Sequence, residues 1–397
     1  MENGRYNLGI IGLGPRGVHF GSEHFQEIGK FNLVCVCDVS EEAVQDALAK
    51  FGEGVEGYTD VDEFLKHPGL DAVIVATSDR THAAVATKVL AAGKHLYLEK
   101  PMAQTIEDCD TIVDAWEGSN TVFMVGLELR YCSLMKDVKK IVERGDIGDI
   151  KIATVVDNVS VGGNFYYHSA RRKKEYIKSL ILEKGTHSLD LANWIIGASP
   201  VKVYSSGGLD VFGGKVSDDK LCIYCDTPCP YQRNVVDFYM DYGARVKKTR
   251  DDKCVYSVEC DVPDNSLVLV DYDNGARMSY MECHFTPEYT REFTFVGDKG
   301  KLTAFYDNEQ NFKIMVWKRH EAEPVYYYPE KQTGGHGGGD DAIFIAFAEY
   351  VLKGQTGMYG IKGARDSAAI AIAAAESEET GMPVFIPASK AMEGQAR

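Results

Sequence analysis

The 397-residue sequence has no long apolar run, and no hydrophobic stretch in it approaches the ~20 residues a membrane helix needs. Positive charge is in deficit: 43 lysines and arginines stand against 59 aspartates and glutamates. The resulting net charge of −16 excludes nucleic acid and anionic membrane as expected partners, because both would repel the surface. An anionic metabolite in a local basic pocket is still allowed. The opening residues, Met1-Glu2-Asn3-Gly4-Arg5-Tyr6, lack the basic and then apolar pattern of an export signal. Ten cysteines without that signal point to reduced thiols and the cytoplasm, not to a disulfide framework. Internal repeats and low-complexity tracts are also missing. What remains is an ordinary globular composition, 45% hydrophobic and 11% aromatic, on a chain longer than one core usually organises.

Short apolar runs at 6–11, 33–37, 70–76, 95–98 and 121–125 alternate with segments of helical period. Val44, Ala47, Leu48 and Phe51 recur at i, i+3, i+4 and i+7 behind Ser40 as N-cap, and Cys109, Ile112, Val113 and Trp116 repeat that spacing. Strand–helix alternation at this pitch predicts right-handed βαβ units, so residues 1–125 read as a Rossmann-type, doubly wound parallel sheet. Residues 126–397 read as an α+β domain for substrate binding and oligomerisation. Helices are expected at 134–144 and 186–196, the second stopped by Gly197, with a strand at 150–157. From 266 to 328 the pattern is an antiparallel meander, with strands at 266–272, 276–285, 290–296 and 301–306. Its Asp273-Asn274-Gly275 turn is expected to be type I′. Two helices, 340–352 and 364–377, close the chain. The second domain is therefore expected to be one large, mostly antiparallel open sheet with helices on one face. An open face of that kind predicts a homodimer or homotetramer.

Gly12-Leu13-Gly14-Pro15-Arg16-Gly17 follows the first strand and opens a helix. The three glycines permit, in turn, a tight bend, close approach to a pyrophosphate and helix–strand packing, and the helix start offers free N–H groups to phosphate. Asp38 lies 21 residues beyond Gly17, at the end of the second strand. A carboxylate there accepts hydrogen bonds from ribose hydroxyls and repels a 2′-phosphate, which favours NAD over NADP. Arg16 is also a candidate contact to the cofactor.

Further motifs follow in order: Ala76-Thr77-Ser78-Asp79-Arg80-Thr81-His82 after the third strand, Glu99-Lys100-Pro101 after the fourth, and Gly126-Leu127-Glu128-Leu129-Arg130-Tyr131. Glu183-Lys184-Gly185-Thr186-His187-Ser188-Leu189-Asp190 comes next. Together they resemble the glucose–fructose oxidoreductase/inositol dehydrogenase (Gfo/Idh/MocA) family, from about residue 6 to 200. The resemblance implies a cofactor site that adds Thr77, His82, Glu99 and Lys100 to the glycine loop. It implies Lys100 beside the nicotinamide, a cis bond before Pro101, and Glu183 and His187 as the catalytic acid and histidine. Glu183 stands where aspartate is more usual and Glu128 where many members carry asparagine. The chemistry suits these residue types. Oxidising a secondary alcohol needs a proton acceptor near working pH, which histidine supplies, and an ammonium stabilises developing alkoxide charge. A histidine merely packed at a helix start, with Asp190 as a surface acid, is the plainer alternative.

Three other features bear on function. Thr333-Gly334-Gly335-His336-Gly337-Gly338-Gly339-Asp340 is either a flexible linker or a ligand-facing loop; a similar Gly-His-Gly-Gly stretch occurs in relatives that are NAD-dependent glycoside hydrolases. Cys222, Cys225 and Cys229 have spacing suited to a structural zinc, with Cys254, Cys260 or a histidine as fourth ligand, or they are plain thiols. Arg130, Tyr131, His168, Arg172 and His336 are candidate substrate contacts, whereas Lys173 and Lys174 read as a solvated face. The expected activity is NAD-dependent oxidation of a ring secondary alcohol of a sugar, inositol or glycoside. The alternatives are a glycoside hydrolase that recycles its NAD and a non-catalytic NAD sensor.

Overall fold

The computed structural model describes residues 4–117, 119–160, 162–231 and 253–388. Its first six strands are β1 (Tyr6–Ile11), β2 (Phe31–Cys37), β3 (Glu56–Tyr58), β4 (Ala72–Val75), β5 (His95–Leu98) and β6 (Val122–Val125). A second set follows: β7 (Ile150–Val159), β8 (Pro200–Gly208), β9 (Asn265–Tyr272), β10 (Arg277–Cys283), β11 (Tyr289–Gly297), β12 (Gly300–Asp307), β13 (Lys313–Lys318) and β14 (Val325–Tyr327). Two short strands, β15 (Gly357–Tyr359) and β16 (Val384–Phe385), come last.

The first sheet has seven strands in the order β15-β6-β5-β4-β1-β2-β3, all parallel. Strands β4 and β6 are buried at every residue, as expected when helices cover both faces of a parallel sheet. The strand order reverses between β1 and β4, which opens the crevice where such sheets bind ligands. The closing segment returns to this layer. The Phe344 ring of helix Gly335–Leu352 lies 4.7 Å from those of both Phe20 (tilted) and Phe25 (edge-on), and β15 extends the sheet beside β6.

The second sheet has nine strands in the order β14-β13-β12-β11-β7-β10-β9-β8-β16 and is antiparallel except for β7 against β10. Helices Thr186–Ile196 and Ile361–Thr380 are buried against one face of it. The other face leaves Ile152, Tyr204, Leu267, Leu269 and Trp317 exposed. Strand alternation dictates both, because the residues between these exposed ones point into the core. The parallel sheet plus mostly antiparallel open sheet matches the expected fold class. No helix of the described residues is long and apolar enough to cross a membrane.

Ser40 caps helix Glu41–Phe51 as expected, its hydroxyl accepting from the Ala43 N–H at 3.3 Å, and Gly197 ends helix Thr186–Ile196 in the left-handed region. The 273–275 turn differs from expectation. Only Gly275 has positive φ (82°), and its N–H donates to the Tyr272 carbonyl at 3.0 Å. This is a three-residue hairpin loop with glycine at the left-handed position, not a type I′ turn; it spares Asn274 the cost of positive φ.

Candidate active site

The glycine loop has the shape that a dinucleotide requires. Gly12 sits at φ 95°, and a Cβ there would lie 2.6 Å from the Ala76 carbonyl oxygen. At Gly17 a Cβ would collide with the Gly12 carbonyl, whereas Gly14 faces open space and leaves room for a pyrophosphate. Pro15 at the first helical position suits this sharp entry. Asp38 accepts the Leu13 N–H at 2.8 Å and the Ser40 N–H at 2.9 Å, so its carboxylate is aimed back at the loop. Gly12, Leu13, Gly14, Gly17 and Asp38 thus lie together at the crevice between β1 and β4.

Arg16 is engaged by carboxylates. Its guanidinium donates to Glu99 Oε1 at 2.8 Å, to Asp340 Oδ1 at 2.7 Å and to Glu128 Oε1. Three buried carboxylates outcompete solvent for this cation, so Arg16 ties the glycine loop to the second domain and the closing helix.

The Lys100–Pro101 bond is cis. His82 is buried behind it, with Nδ1 2.8 Å from the Pro101 carbonyl and Nε2 3.3 Å from that of Thr77. These two contacts hold the ring between the Thr77 and Pro101 loops. Thr77 Oγ1 accepts from Thr81 Oγ1 at 2.9 Å, within the same loop. Glu99 also accepts the Lys100 N–H at 3.1 Å, which fixes the backbone from which Lys100 projects.

Lys100 Nζ donates to the backbone carbonyl of Glu183 at 2.7 Å. That carbonyl lies in a π-helical turn, Ile181–Gly185, leading straight into helix Thr186–Ile196. Such turns displace side chains from the ordinary helical positions and are frequent at functional sites. Gly185 is required by space, since a Cβ would lie 2.7 Å from the Glu282 carboxylate and 2.8 Å from the Tyr280 hydroxyl. The Glu183 carboxylate pairs with Arg171 Nε at 2.8 Å. Burial would raise its pKa, but Lys100 and Arg171 outweigh burial and hold it below the usual value.

His187 is buried, and its Nδ1 faces Glu128 Oε2 at 3.8 Å, too far for a hydrogen bond. Burial lowers its pKa well below the ordinary histidine value, and Lys100 and His336 lower it further. These effects favour the neutral form of the ring. His336 lies opposite, its ring centroid 5.1 Å from that of His187. It adopts φ 50° and ψ 39°, between Gly334 and the left-handed Gly337 and Gly338, and its Nδ1 is 3.1 Å from Asp340. A Cβ at Gly339 would collide with the Glu128 carbonyl. The glycine run is thus a formed turn that delivers His336 to the site. Burial would lower the His336 pKa, but Asp340 and Glu128 more than offset it and raise it.

Four expected substrate contacts are spoken for elsewhere. Arg130 makes a two-point ion pair with Asp190, Nε to Oδ2 at 2.7 Å and Nη2 to Oδ1 at 2.5 Å, and Asp190 is buried, not at the surface. Tyr131 packs against the core cluster that contains Phe344 and Phe347. His168 is buried between the carbonyls of Lys253 (2.6 Å) and Tyr231 (2.9 Å), and Arg172 is anchored on Asp218 at 2.5 Å. Lys173 and Lys174 reach the peripheral Glu259 and Glu379.

The cysteine reading is also corrected. Among the described residues, the one group of three or more His, Cys, Asp or Glu whose ligand atoms converge within 4.8 Å is Glu128, His336 and Asp340. Cys222, Cys225 and Cys229 do not converge. Local chain contacts engage them instead: Cys225 Sγ donates to the Thr227 carbonyl at 3.9 Å, and Cys229 Sγ accepts the Tyr231 N–H at 3.4 Å.

Sequence reasoning missed Tyr289. Its hydroxyl accepts from Lys184 Nζ at 3.0 Å and Arg291 Nη2 at 3.2 Å. Burial alone would raise its pKa, yet Arg291 and Lys184 bring it down to about 7. Nothing local in the sequence marks this residue among 22 tyrosines.

A family model for the NAD-binding Rossmann fold of an oxidoreductase family matches residues 6–127, and the model for its C-terminal alpha/beta domain matches residues 139–386. The chain belongs to the Gfo/Idh/MocA family. Among its relatives, YteT of Bacillus subtilis, a protein named only as an oxidoreductase, is 27% identical over 355 residues, covering 79% of this chain and 80% of YteT. The scyllo-inositol 2-dehydrogenase (NAD(+)) of the same organism is 23% identical over 97% of each chain. A solved levoglucosan dehydrogenase in complex with NADH and levoglucosan shares the fold, with TM-score 0.73 and 19% identity over 97% of this chain and 100% of that one. For this Gfo/Idh/MocA protein, the Rossmann domain is thus an NAD-binding domain.

Proposed function

We propose that the protein is an NAD-dependent dehydrogenase acting on a ring secondary alcohol of a sugar, inositol or glycoside. Bound NAD supplies the hydride acceptor. Lys100, held by the Glu183 carbonyl, presents an ammonium to the reacting hydroxyl and stabilises the oxygen as its proton leaves. His187, neutral in its buried position, takes that proton. Glu183 and Arg171 fix the electrostatics around Lys100, and Asp38 favours NAD over NADP by occupying the place of a 2′-phosphate. Buried carboxylates next to a lysine and two histidines suit a neutral, hydroxyl-rich ligand, which both donates and accepts hydrogen bonds. The observation that carries this reading is that Lys100 Nζ is held by the Glu183 carbonyl, in the turn that opens the helix carrying the buried His187.

One observation favours a second reading, an NAD-recycling glycoside hydrolase: His336 faces His187 from a formed turn, giving the site a second proton-handling group. Incubating the protein with NAD and a panel of sugars, inositols and chromogenic glycosides separates the two. NADH rising with a sugar or inositol supports the dehydrogenase; aglycone release without net NADH supports the hydrolase. If neither appears, a non-catalytic NAD-binding role replaces both.

The apolar outer face of the nine-stranded sheet, with Leu267 59% exposed, fits burial against a second copy of the chain. Light scattering that gives a dimer or tetramer would support this, and a monomer would exclude it.

A further inference from the structure

We propose that Glu128, His336 and Asp340, with His187 as fourth ligand, form a binding site for one divalent transition-metal ion of the zinc class. The inference goes beyond the hydride-transfer reading, no step of which uses a metal, so its failure would leave that reading standing.

Glu128, His336 and Asp340 each bring a ligand atom within 4.8 Å of the other two. They come from far apart in the chain, Glu128 from the junction after β6 and the other two from the glycine turn and the helix it opens. Proximity alone would not make a site, and two further atoms point to a ligand. Glu128 Oε2 and His187 Nδ1 are both buried, both without a hydrogen-bond partner, and face each other at 3.8 Å. A carboxylate oxygen and an imidazole nitrogen left unpaired in a buried site are costly. Ligand bonds of ~2.0–2.2 Å from each sum to slightly more than their separation, so one ion placed between them contacts both.

Charge favours a cation as well. Glu99, Glu128 and Asp340 are three buried carboxylates, and the Arg16 guanidinium serves all of them. Arg16 takes Glu128 Oε1 and Asp340 Oδ1, which leaves Glu128 Oε2 uncommitted. Two imidazoles with two carboxylates form a borderline donor set that suits zinc, cobalt or nickel better than magnesium or calcium. An ion here would adjoin His187 and could hold a substrate oxygen as a Lewis acid. Ligation through Nδ1 would place the His187 ring proton on Nε2, so the metal-bound ring would orient the substrate oxygen as a donor and would not itself accept the proton.

The test uses the full chain, stripped with chelator and titrated with Co2+ alone, then Zn2+ alone. One ion per chain is expected, with visible Co2+ absorption bands and micromolar or tighter affinity. His336→Ala and Asp340→Asn should each weaken binding by ~10-fold or more, while Cys225→Ser leaves it unchanged; circular dichroism confirms folding. Should the variants not fold, X-ray absorption of the zinc-loaded wild type decides the matter. Nitrogen and oxygen neighbours with imidazole scattering support the site. Sulfur neighbours, or no saturable binding at all, overturn it.

Discussion

Replacing Arg130 by methionine tests whether this residue holds the fold or the substrate. In the structure its guanidinium meets Asp190 at two points, 2.7 and 2.5 Å, and lies 5.4 Å over the Trp194 ring. Asp190 is 1% exposed, so removing Arg130 strands an anion away from water. Even with Arg130 present, burial raises the Asp190 pKa above its ordinary value. Breaking one side of such a pair costs ~3–5 kcal/mol, whereas replacing both partners by apolar residues of similar volume is often close to neutral. Arg130→Met should therefore lower stability by about that amount in a denaturant titration followed by tryptophan fluorescence and circular dichroism. Arg130→Met with Asp190→Leu should recover most of the loss. In the single variant the penalty should shrink at acid pH, where Asp190 becomes neutral. A single variant of unchanged stability but sharply raised KM for substrate would refute the reasoning and return Arg130 to the substrate site.

Asp38→Ala should shift cofactor preference toward NADP, read as the ratio of kcat/KM values for the two cofactors; an unchanged ratio would show that Asp38 does not sense the ribose. Tyr289 should titrate with an apparent pKa of about 7 in tyrosinate difference absorbance, and Tyr289→Phe should abolish that transition. The folded phenol is the stronger acid, so its contribution to stability is complete above the unfolded value of ~10 and is lost as pH falls toward 7. The stability gap between wild type and Tyr289→Phe should therefore widen between pH ~7 and ~10; a gap independent of pH would contradict the assignment.

The parts of the molecule visible in sequence are those set by local rules. The glycine loop, β1 and β5, the Ser40 cap and the Gly197 stop depend on neighbours a few residues away, and their positions follow from them. The Lys100, Glu183 and His187 cluster came from a resemblance of motifs, because nothing in their spacing alone brings residues so far apart together. Partners supplied at long range are what the sequence could not show for the basic residues. Arg16 finds Asp340 across 324 positions, Arg130 finds Asp190 across 60 and Arg172 finds Asp218 across 46. A basic side chain looks available for ligand until its carboxylate is located. His168 likewise meets the backbone carbonyls of Lys253 and Tyr231, 85 and 63 positions away. The 334–339 glycine run was ambiguous because glycine permits both disorder and a left-handed turn. Contact with Glu128, again non-local, selects the turn.

The most direct test of the account is NADH formation on the substrate panel, measured for wild type, His187→Ala and Lys100→Ala alongside NAD binding. The account predicts NADH with a sugar, inositol or glycoside, and turnover ~100-fold or more lower in each variant with NAD affinity nearly intact. Near-normal turnover in His187→Ala would contradict the assigned base and, with it, the chemistry proposed for this site.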